Sequence, residues 1–248
     1  MNEKDWDRTA ATFDEDVFNV PANDRQGLIL RSIRRYAGKD KVTADLGCGI
    51  GRTVKMLASH FGTVHAVDFS SECLAVAERD HPGLNNVSYH HVDLAEEPVP
   101  FEPVDVVLCI NAWLMHPPDK RVAMVGHVLD AVKPGGHLVL VTPALESALF
   151  ATHRLVRWNL EQGHSPKVAQ QKASRDMSAI DMGIVMIDGV ATKHYLKEEL
   201  EDVLTMHGLN VLESHKLEYP WSRVFQDPPG WMGAPFPWNW LVVAERPA

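Results

Sequence analysis

Three glycines stand close together in the stretch VTADLGCGIG at residues 42–51. Gly47, Gly49 and Gly51 have no side chain, so the backbone around them can turn tightly and a ligand can approach it closely. A strand-like segment precedes them and a helical pattern follows. This order would point backbone N–H groups and a helix N-terminus at that ligand. The pattern predicts a cofactor-binding turn, although a purely structural turn would use the same glycines.

The spacing of the glycines narrows the choice of cofactor. A dinucleotide site needs the pattern G-x-G-x-x-G/A. Here Arg52 occupies the third position, and the third glycine comes one residue earlier at Gly51. A phosphate-binding loop of the type G-x-x-x-x-G-K-S/T is missing as well. A nucleotide oxidoreductase is therefore the less favoured interpretation.

Polar side chains stand where the next predicted strands end. Asp68 follows an apolar segment and could accept hydrogen bonds from two ribose hydroxyls, whereas Asp93, after the third strand, could accept one from an exocyclic adenine amine. Asn111 ends the fourth strand, and Asp45 lies at the end of the first. Any one of these would be unremarkable as a surface residue. Together they predict one crevice, because the carboxyl ends of parallel strands meet at one edge of a sheet.

Strand-like and helical patterns alternate over the first 145 residues, which predicts βαβ units and a doubly wound parallel sheet. VDVVLCIN is apolar throughout, as expected for a strand buried on both faces. We expect one helix in 1–20 and another in 24–37. Predicted strands cover 41–47, 63–69, 87–94, 104–111 and 137–143, and predicted helices cover 51–62, 70–81 and 119–133. A mostly helical insertion follows, with a polar helix predicted over 166–178. A further helix is predicted over 196–207, and strands near 209–219 and 240–246.

DLGCGIG, followed by VDFS, HHVDL and VKPGGHLVLV, resembles the class I S-adenosylmethionine-dependent methyltransferases. The resemblance covers residues 40–145 and, with fewer matches, 192–247. It implies a Rossmann-like sheet of seven strands whose last strand is antiparallel, a helical insertion between strands 5 and 6, and S-adenosylmethionine in the crevice. By position, Asp68 would bind the ribose hydroxyls. The other implied cofactor contacts are Asp45, Gly47, Cys48, Gly49, Gly51 and Asn111 around the methionine part, and Phe69, Asp93 and Leu94 around the adenine.

The methyl acceptor is less well defined, because displacement at a sulfonium needs an in-line nucleophile and exclusion of water rather than a fixed triad. His116 and His194 are the candidate general bases, and Trp113, His153 and Tyr195 are candidate substrate contacts. With 13 histidines in the chain, a surface histidine is the alternative for each. Aromatic residues between 221 and 240 would form a wall over the acceptor or a small separate core.

Two patterns of related enzymes are missing. NAWLMHPP replaces the N/D-P-P-Y/F segment of methyltransferases that act on nucleic-acid bases, and TPALE replaces the Asp-Asn pair that holds Mg²⁺ in catechol-type enzymes. We therefore expect a small-molecule acceptor and no metal. The net charge of −9 also argues against a nucleic-acid partner.

The chain has 248 residues, of which 45% are hydrophobic, so it can bury a full core. Its three cysteines form no CxxC pair, and no apolar run approaches the length of a membrane span. We expect a cytoplasmic protein with no membrane partner and leave its oligomeric state open. The expected layout is one domain, with an N-terminal helical gate (1–38), a cofactor core (39–145), a helical insertion on the substrate side (146–191) and a final part (192–248).

These patterns together predict transfer of a methyl group from S-adenosylmethionine to an oxygen, nitrogen or sulfur atom of a small molecule, giving S-adenosylhomocysteine. Two alternatives keep the same cofactor. One is a sensor that binds S-adenosylmethionine without turnover. The other is an enzyme that transfers a different group from the sulfonium.

Overall fold

The computed structural model describes residues 3–173, 183–187 and 189–248. Its centre is a sheet of seven strands in the order β3-β2-β1-β4-β5-β9-β8. β9 runs antiparallel to both of its neighbours, β5 and β8, and the other neighbouring strands of this sheet pair in parallel. The fold expected from the sequence is thereby confirmed. The strands of this sheet are β1 (Gly38–Leu46), β2 (Phe61–Asp68), β3 (Val87–His91), β4 (Val104–Ile110), β5 (Val132–Pro143), β8 (Asn210–Glu218) and β9 (Trp238–Glu245).

Helices cover both faces of the sheet, and a two-stranded hairpin, β6 (Ile184–Ile187) and β7 (Val190–Lys193), lies apart from it. At two of the helix starts, side chains satisfy free N–H groups. The Asp24 carboxylate accepts from Leu28 N and Ile29 N, and Ser70 Oγ accepts from Cys73 N. The helices are α1 (Glu3–Thr9), α2 (Phe13–Asp16), α3 (Val20–Asn23), α4 (Leu28–Tyr36), α5 (Val54–His60), α6 (Ser71–Asp80), α7 (Pro118–Asp130), α8 (Leu145–Glu161), α9 (Pro166–Ala173) and α10 (Lys197–Met206).

The core consists of two apolar layers separated by the sheet. Leu138 and Leu140 of β5 point to the layer formed with α7 and α10, and Val139 and Val141 point to the layer formed with α4 and α5. Side chains alternate along β5, and the central strands are buried on both faces, as the continuous apolar runs predict. This packing holds the carboxyl ends of β1, β2, β4 and β5 in fixed positions.

The sequence prediction was wrong at the junction before β5. A helix was expected to continue to residue 133 and stop at Pro134, but α7 ends at Asp130 and β5 begins at Val132. A Cβ on Gly136 would lie 3.0 Å from the Val104 carbonyl oxygen. The glycine therefore allows close strand pairing here rather than marking a helix end. The third strand also ends early, at His91, three residues before the predicted end.

Two other segments differ from the prediction. The single helix expected over residues 1–20 is divided into short helices, because Val17 is extended and Pro21 stands in the first turn of α3. The insertion is not purely helical, because its end forms the β6–β7 hairpin, and the predicted boundary at 192 cuts through β7. The predicted helix over 166–178 is observed as far as Ala173, and its remainder lies outside the described residues.

Candidate functional site

The glycine turn lies between the ends of β1, β2 and β4. Gly47 has φ 80°, and its N–H donates to the Val67 carbonyl at 2.8 Å. A Cβ on Gly47 would lie 2.5 Å from the Cβ of Ala112, in the loop after β4. Only glycine fits here, because any side chain would overlap the neighbouring loop and the backbone conformation disfavours one. The Cys48 side chain is buried beside this turn.

Asp68 joins the second strand to the glycine turn. Its Oδ2 accepts from Gly49 N at 2.8 Å, and its Oδ1 accepts from Ser70 N at 3.0 Å. Burial raises the pKa of Asp68, while these backbone hydrogen bonds act in the opposite direction. Each carboxylate oxygen has more than one acceptor position, so the group can take further hydrogen bonds. Asp68 stands at the position where the sequence predicts binding of two ribose hydroxyls.

Asp45 lies behind the turn, with 2% of its surface exposed. Burial raises the pKa of Asp45 to about 7; the hydrogen bond from Thr53 Oγ1 opposes this rise, and the charge of Asp68 adds to it. Thr53 was not singled out from the sequence. Its place, eight residues after Asp45 and just before α5, gives no signal by itself.

Asn111 begins the post-β4 loop, which we define as residues 111–117. Its φ is 49°, a left-handed conformation that is uncommon for a residue with a side chain. Its side-chain Oδ1 is buried without a hydrogen-bond partner among the described residues. A buried acceptor without a donor is rare in folded proteins. This oxygen can accept a hydrogen bond from a ligand, and the contact of Asn111 with the methionine part of the cofactor, which the resemblance implies, stays a prediction.

Asp93 and Leu94 stand beyond the end of β3. The Asp93 Oδ1 accepts from Ala95 N at 2.9 Å, so part of the carboxylate closes a local turn. Leu94 is buried in the core, and its carbonyl is 2.8 Å from the Nδ1 of His127. Contacts of Asp93 and Leu94 with adenine stay a prediction.

Residues 3–17, which we call the N-terminal cover, lie on this crevice. The Phe13 ring packs on Gly49, and the rings of Trp6 and Phe69 are 6.5 Å apart. Ser70 Oγ donates to Asp7 at 2.7 Å. The cover therefore contacts the turn, the residue after Asp68 and the start of α6.

Arg52 attaches this cover to the turn. Its Nη2 donates to Asp14 at 2.8 Å and to the Phe13 carbonyl at 3.1 Å, and its Nη1 donates to the Val17 carbonyl at 3.2 Å. From the sequence, the one inference drawn from Arg52 is that the glycine pattern does not fit a dinucleotide site. Its partners are 35 to 39 residues away in the chain, so spacing could not predict this role.

The candidate histidines have different surroundings. His116 is exposed at the end of the post-β4 loop, and Arg121 Nη1 donates to its carbonyl at 3.0 Å. His194 is buried, with Nδ1 3.1 Å from the Thr192 carbonyl. His153 is exposed on α8 and stacks on Phe150 with ring centres 6.4 Å apart. Their roles in catalysis or substrate binding stay predictions.

Trp113 and Tyr195 are both buried in the core. The Tyr195 hydroxyl donates to the Trp113 carbonyl at 2.8 Å, which ties the post-β4 loop to the segment before α10. Burial raises the pKa of this hydroxyl above its usual value. Both residues have a packing role, and their predicted contact with substrate stays a prediction.

The described parts of the chain contain no group of three or more His, Cys, Asp or Glu side chains that could hold a metal ion. None of the described helices is both long and apolar enough to span a membrane.

A family model described as "Methyltransferase domain" matches residues 44–136, which include the glycine turn, Asp68, Asp93 and Asn111. The phosphoethanolamine N-methyltransferase 1 of Triticum aestivum is 30% identical over 115 residues, which are 45% of this chain and 23% of that protein. The magnesium-protoporphyrin O-methyltransferase of Rhodobacter capsulatus is 28% identical over 212 residues, which are 79% of this chain and 92% of that protein. The chain spans about a quarter of the length of some curated relatives.

Solved structures share the whole fold. A DhpI-SAM-HEP complex superposes with a TM-score of 0.61 at 19% identity, covering 98% of this chain and 95% of that one. N-methyltransferase NodS from Bradyrhizobium japonicum WM9, in complex with S-adenosyl-L-homocysteine, superposes with a TM-score of 0.61 at 13% identity, covering 99% and 97%. At these identities the likeness establishes the architecture.

Proposed function

We propose that this chain, a class I S-adenosylmethionine-dependent methyltransferase by its domain match and its fold, transfers a methyl group to an oxygen, nitrogen or sulfur atom of a small molecule. The main support for the proposal is the hydrogen bond that Gly49 N donates to the Asp68 carboxylate at 2.8 Å. This hydrogen bond holds the acid that we assign to the ribose hydroxyls directly beside the glycine turn.

The described residues fit this cofactor. Asn111 supplies a buried acceptor without a partner among the described residues, and Gly47 and Gly49 let the turn pack closely against Ala112 and Phe13. When bound, S-adenosylmethionine supplies an electrophilic methyl group on a sulfonium. The chain contributes binding through Asp68 and Asn111, and the N-terminal cover excludes water from the crevice.

His116 is the candidate group for removing a proton from the acceptor. It ends the loop that follows β4, at the edge of the sheet where ligands of such folds bind. Its exposed side chain can reach a proton on an acceptor oxygen or nitrogen in this region. His194, which is buried beside the same loop, is the candidate for orienting the acceptor. An acidic thiol or phenolate would need no base.

A small-molecule acceptor is supported by the two curated relatives, whose names specify phosphoethanolamine and magnesium protoporphyrin. The acidic composition of the chain agrees with this class, since a nucleic-acid substrate would favour a basic surface.

The test is a calorimetric titration of the full chain with S-adenosylmethionine, S-adenosylhomocysteine and, as a control, NADH. We expect binding of the two sulfur ligands and none of NADH. Incubation with a panel of small phenols, amines and thiols should then give products heavier by one methyl group, together with S-adenosylhomocysteine. Binding without transfer to any member would favour the sensor, and a different added mass would favour transfer of another group.

A further inference from the structure

Aromatic side chains form a cluster over the substrate side, which we call the aromatic cap. It joins α8, which begins two residues after β5, to the segment between β8 and β9. Both parts therefore start at the carboxyl edge of the sheet, beside the proposed acceptor position. The aromatic members of the cap are Phe150, Trp158, Trp221, Phe225, Trp231 and Phe236.

Arg154 lies inside this cap. Its guanidinium carbon is 4.9 Å from the ring centre of Phe150, 5.8 Å from that of Trp221 and 5.7 Å from that of Trp231. Attraction between a cation and aromatic rings holds the guanidinium in place without neutralising it. Within the described part of the chain, no carboxylate forms an ion pair with Arg154. The Arg154 Nη2 donates to the Ala234 carbonyl in a long hydrogen bond of 3.4 Å.

Three hydrogen-bond donors in and beside the cap are buried without an acceptor among the described residues. They are the Nε of Arg154 and the indole Nε1 atoms of Trp231 and Trp238. Other indoles nearby are satisfied: Trp221 Nε1 donates to the Gly233 carbonyl and Trp240 Nε1 donates to Glu146, both at 3.0 Å. A buried donor without a partner costs free energy, so this contrast indicates a ligand that accepts hydrogen bonds.

Arg157 provides the internal comparison. It lies 4.2 Å from the ring centre of Trp231, closer than Arg154 does, but its Nε donates to Glu161 at 3.2 Å and its side chain is exposed. The positive charge of Arg157 is therefore already paired. Arg154 is half-buried against the rings, and among the described residues its charge has no carboxylate partner and its Nε has no acceptor.

We propose that Arg154 and Trp231 bind an anionic group, a carboxylate or a phosphate or phosphonate, on the methyl acceptor. This inference rests on the proposed function, because it assigns the group to that enzyme's substrate. Oxyanions accept charge-assisted hydrogen bonds from a guanidinium fork, and an indole N–H can supply one more. The rings of the cap would pack against the apolar body of the same molecule.

The test uses the full chain saturated with S-adenosylhomocysteine, titrated by calorimetry with benzoate, phenylphosphonate and neutral benzyl alcohol. The wild-type chain should bind at least one anion more than about tenfold tighter than the alcohol. Arg154→Gln should remove this preference. Trp231→Phe, which keeps an aromatic ring but removes the indole Nε1–H, should weaken anion binding about two- to tenfold. Arg157→Gln should leave it within about twofold. Comparison of the two anions distinguishes a carboxylate from a phosphonate site.

Equal binding of anion and alcohol by the wild-type chain would overturn the subsite, as would equal losses in Arg154→Gln and Arg157→Gln. Thermal unfolding of each variant controls for folding, and if Arg154→Gln does not fold, Trp231→Phe decides the question. The titration with S-adenosylhomocysteine comes first. Failure of the wild-type chain to bind it would reject the proposed function itself, whereas normal binding without anion preference would reject only the subsite.

Discussion

The ring of Phe13 lies so close to the backbone of Gly49 that a Cβ at position 49 would stand 2.7 Å from the Phe13 Cζ. Gly49 is also the residue whose N–H donates to Asp68. One glycine thus contacts the N-terminal cover on one side and the proposed ribose-binding acid on the other. Closure of the crevice and formation of its binding groups are therefore linked through a position that tolerates no side chain.

Gly49→Ala should displace Phe13 and weaken cofactor binding. The left-handed φ of 53° adds a strain of about 1–2 kcal/mol for any residue with a side chain. Gly163→Ala is the matched control, because Gly163 has φ 81° and nothing within 4 Å of an added Cβ. Both variants should unfold at lower temperature, and only Gly49→Ala should lose affinity for S-adenosylhomocysteine in calorimetry. Unchanged affinity in Gly49→Ala would show that the cover does not affect the cofactor.

Asp68→Ala should weaken S-adenosylmethionine binding by about 2–3 kcal/mol, because it removes charge-assisted hydrogen bonds to the ribose. Calorimetry of the variant against the wild-type chain measures this loss. Asp80→Ala, which removes an exposed carboxylate at the end of α6, should bind normally. If Asp68→Ala retained full affinity, the assignment of the cofactor to this crevice would fail.

Asn111→Gly should separate the backbone role of this residue from its chemical role. Glycine adopts the φ of 49° without strain, so the unfolding temperature should stay the same or rise. The loss of Oδ1 should nevertheless reduce affinity for S-adenosylmethionine about two- to tenfold, as expected for one hydrogen bond. A variant that is as stable as the wild-type chain and binds as tightly would argue that Oδ1 has no ligand.

The pH dependence of stability should contain a contribution from Asp45. Because burial raises its pKa from 3.8 to about 7, the folded chain binds more protons than the unfolded chain between these values. The free energy of unfolding therefore falls as the pH rises through this window. Asp45→Asn keeps an oxygen to accept from Thr53 and cannot ionise. Its unfolding temperature relative to wild type should rise from about pH 4 to about pH 7.

Scanning calorimetry at several pH values measures this difference, with Asp80→Asn as the control for the loss of one exposed charge. A constant difference between Asp45→Asn and the wild-type chain across the window would contradict the raised pKa.

His116→Ala should lower turnover by about 10²-fold or more with an acceptor that must lose a proton, as expected for a general base. Affinity for S-adenosylmethionine should stay nearly unchanged. The rate of S-adenosylhomocysteine formation measures the effect, with the exposed His207→Ala as control. A loss of cofactor affinity in His116→Ala would place this residue elsewhere in the site.

The sequence alone was sufficient to predict the sheet, the glycine turn and the acids after the strands. These features depend on local patterns: apolar runs produce buried strands, and glycines spaced two apart produce a tight turn. Local patterns failed where pairing with a distant strand determines the structure. Val132 pairs with Val104 of β4 and His137 pairs with Val106, so residues 133–136 lie within β5, although Pro134 and the glycines after it look like a helix end.

Only the tertiary structure identified the partners of residues that are far apart in the chain. Arg52 binds carbonyls of the N-terminal cover, Thr53 donates to Asp45, and Arg154 lies among rings from two segments about 70 residues apart. Arginine and threonine have no periodicity that predicts such contacts, because burial and charge pairing depend on which surfaces meet after folding. The sequence therefore determined the sheet and the predicted cofactor position. The three-dimensional packing determined what covers that position and which buried donors of the described residues lack a partner.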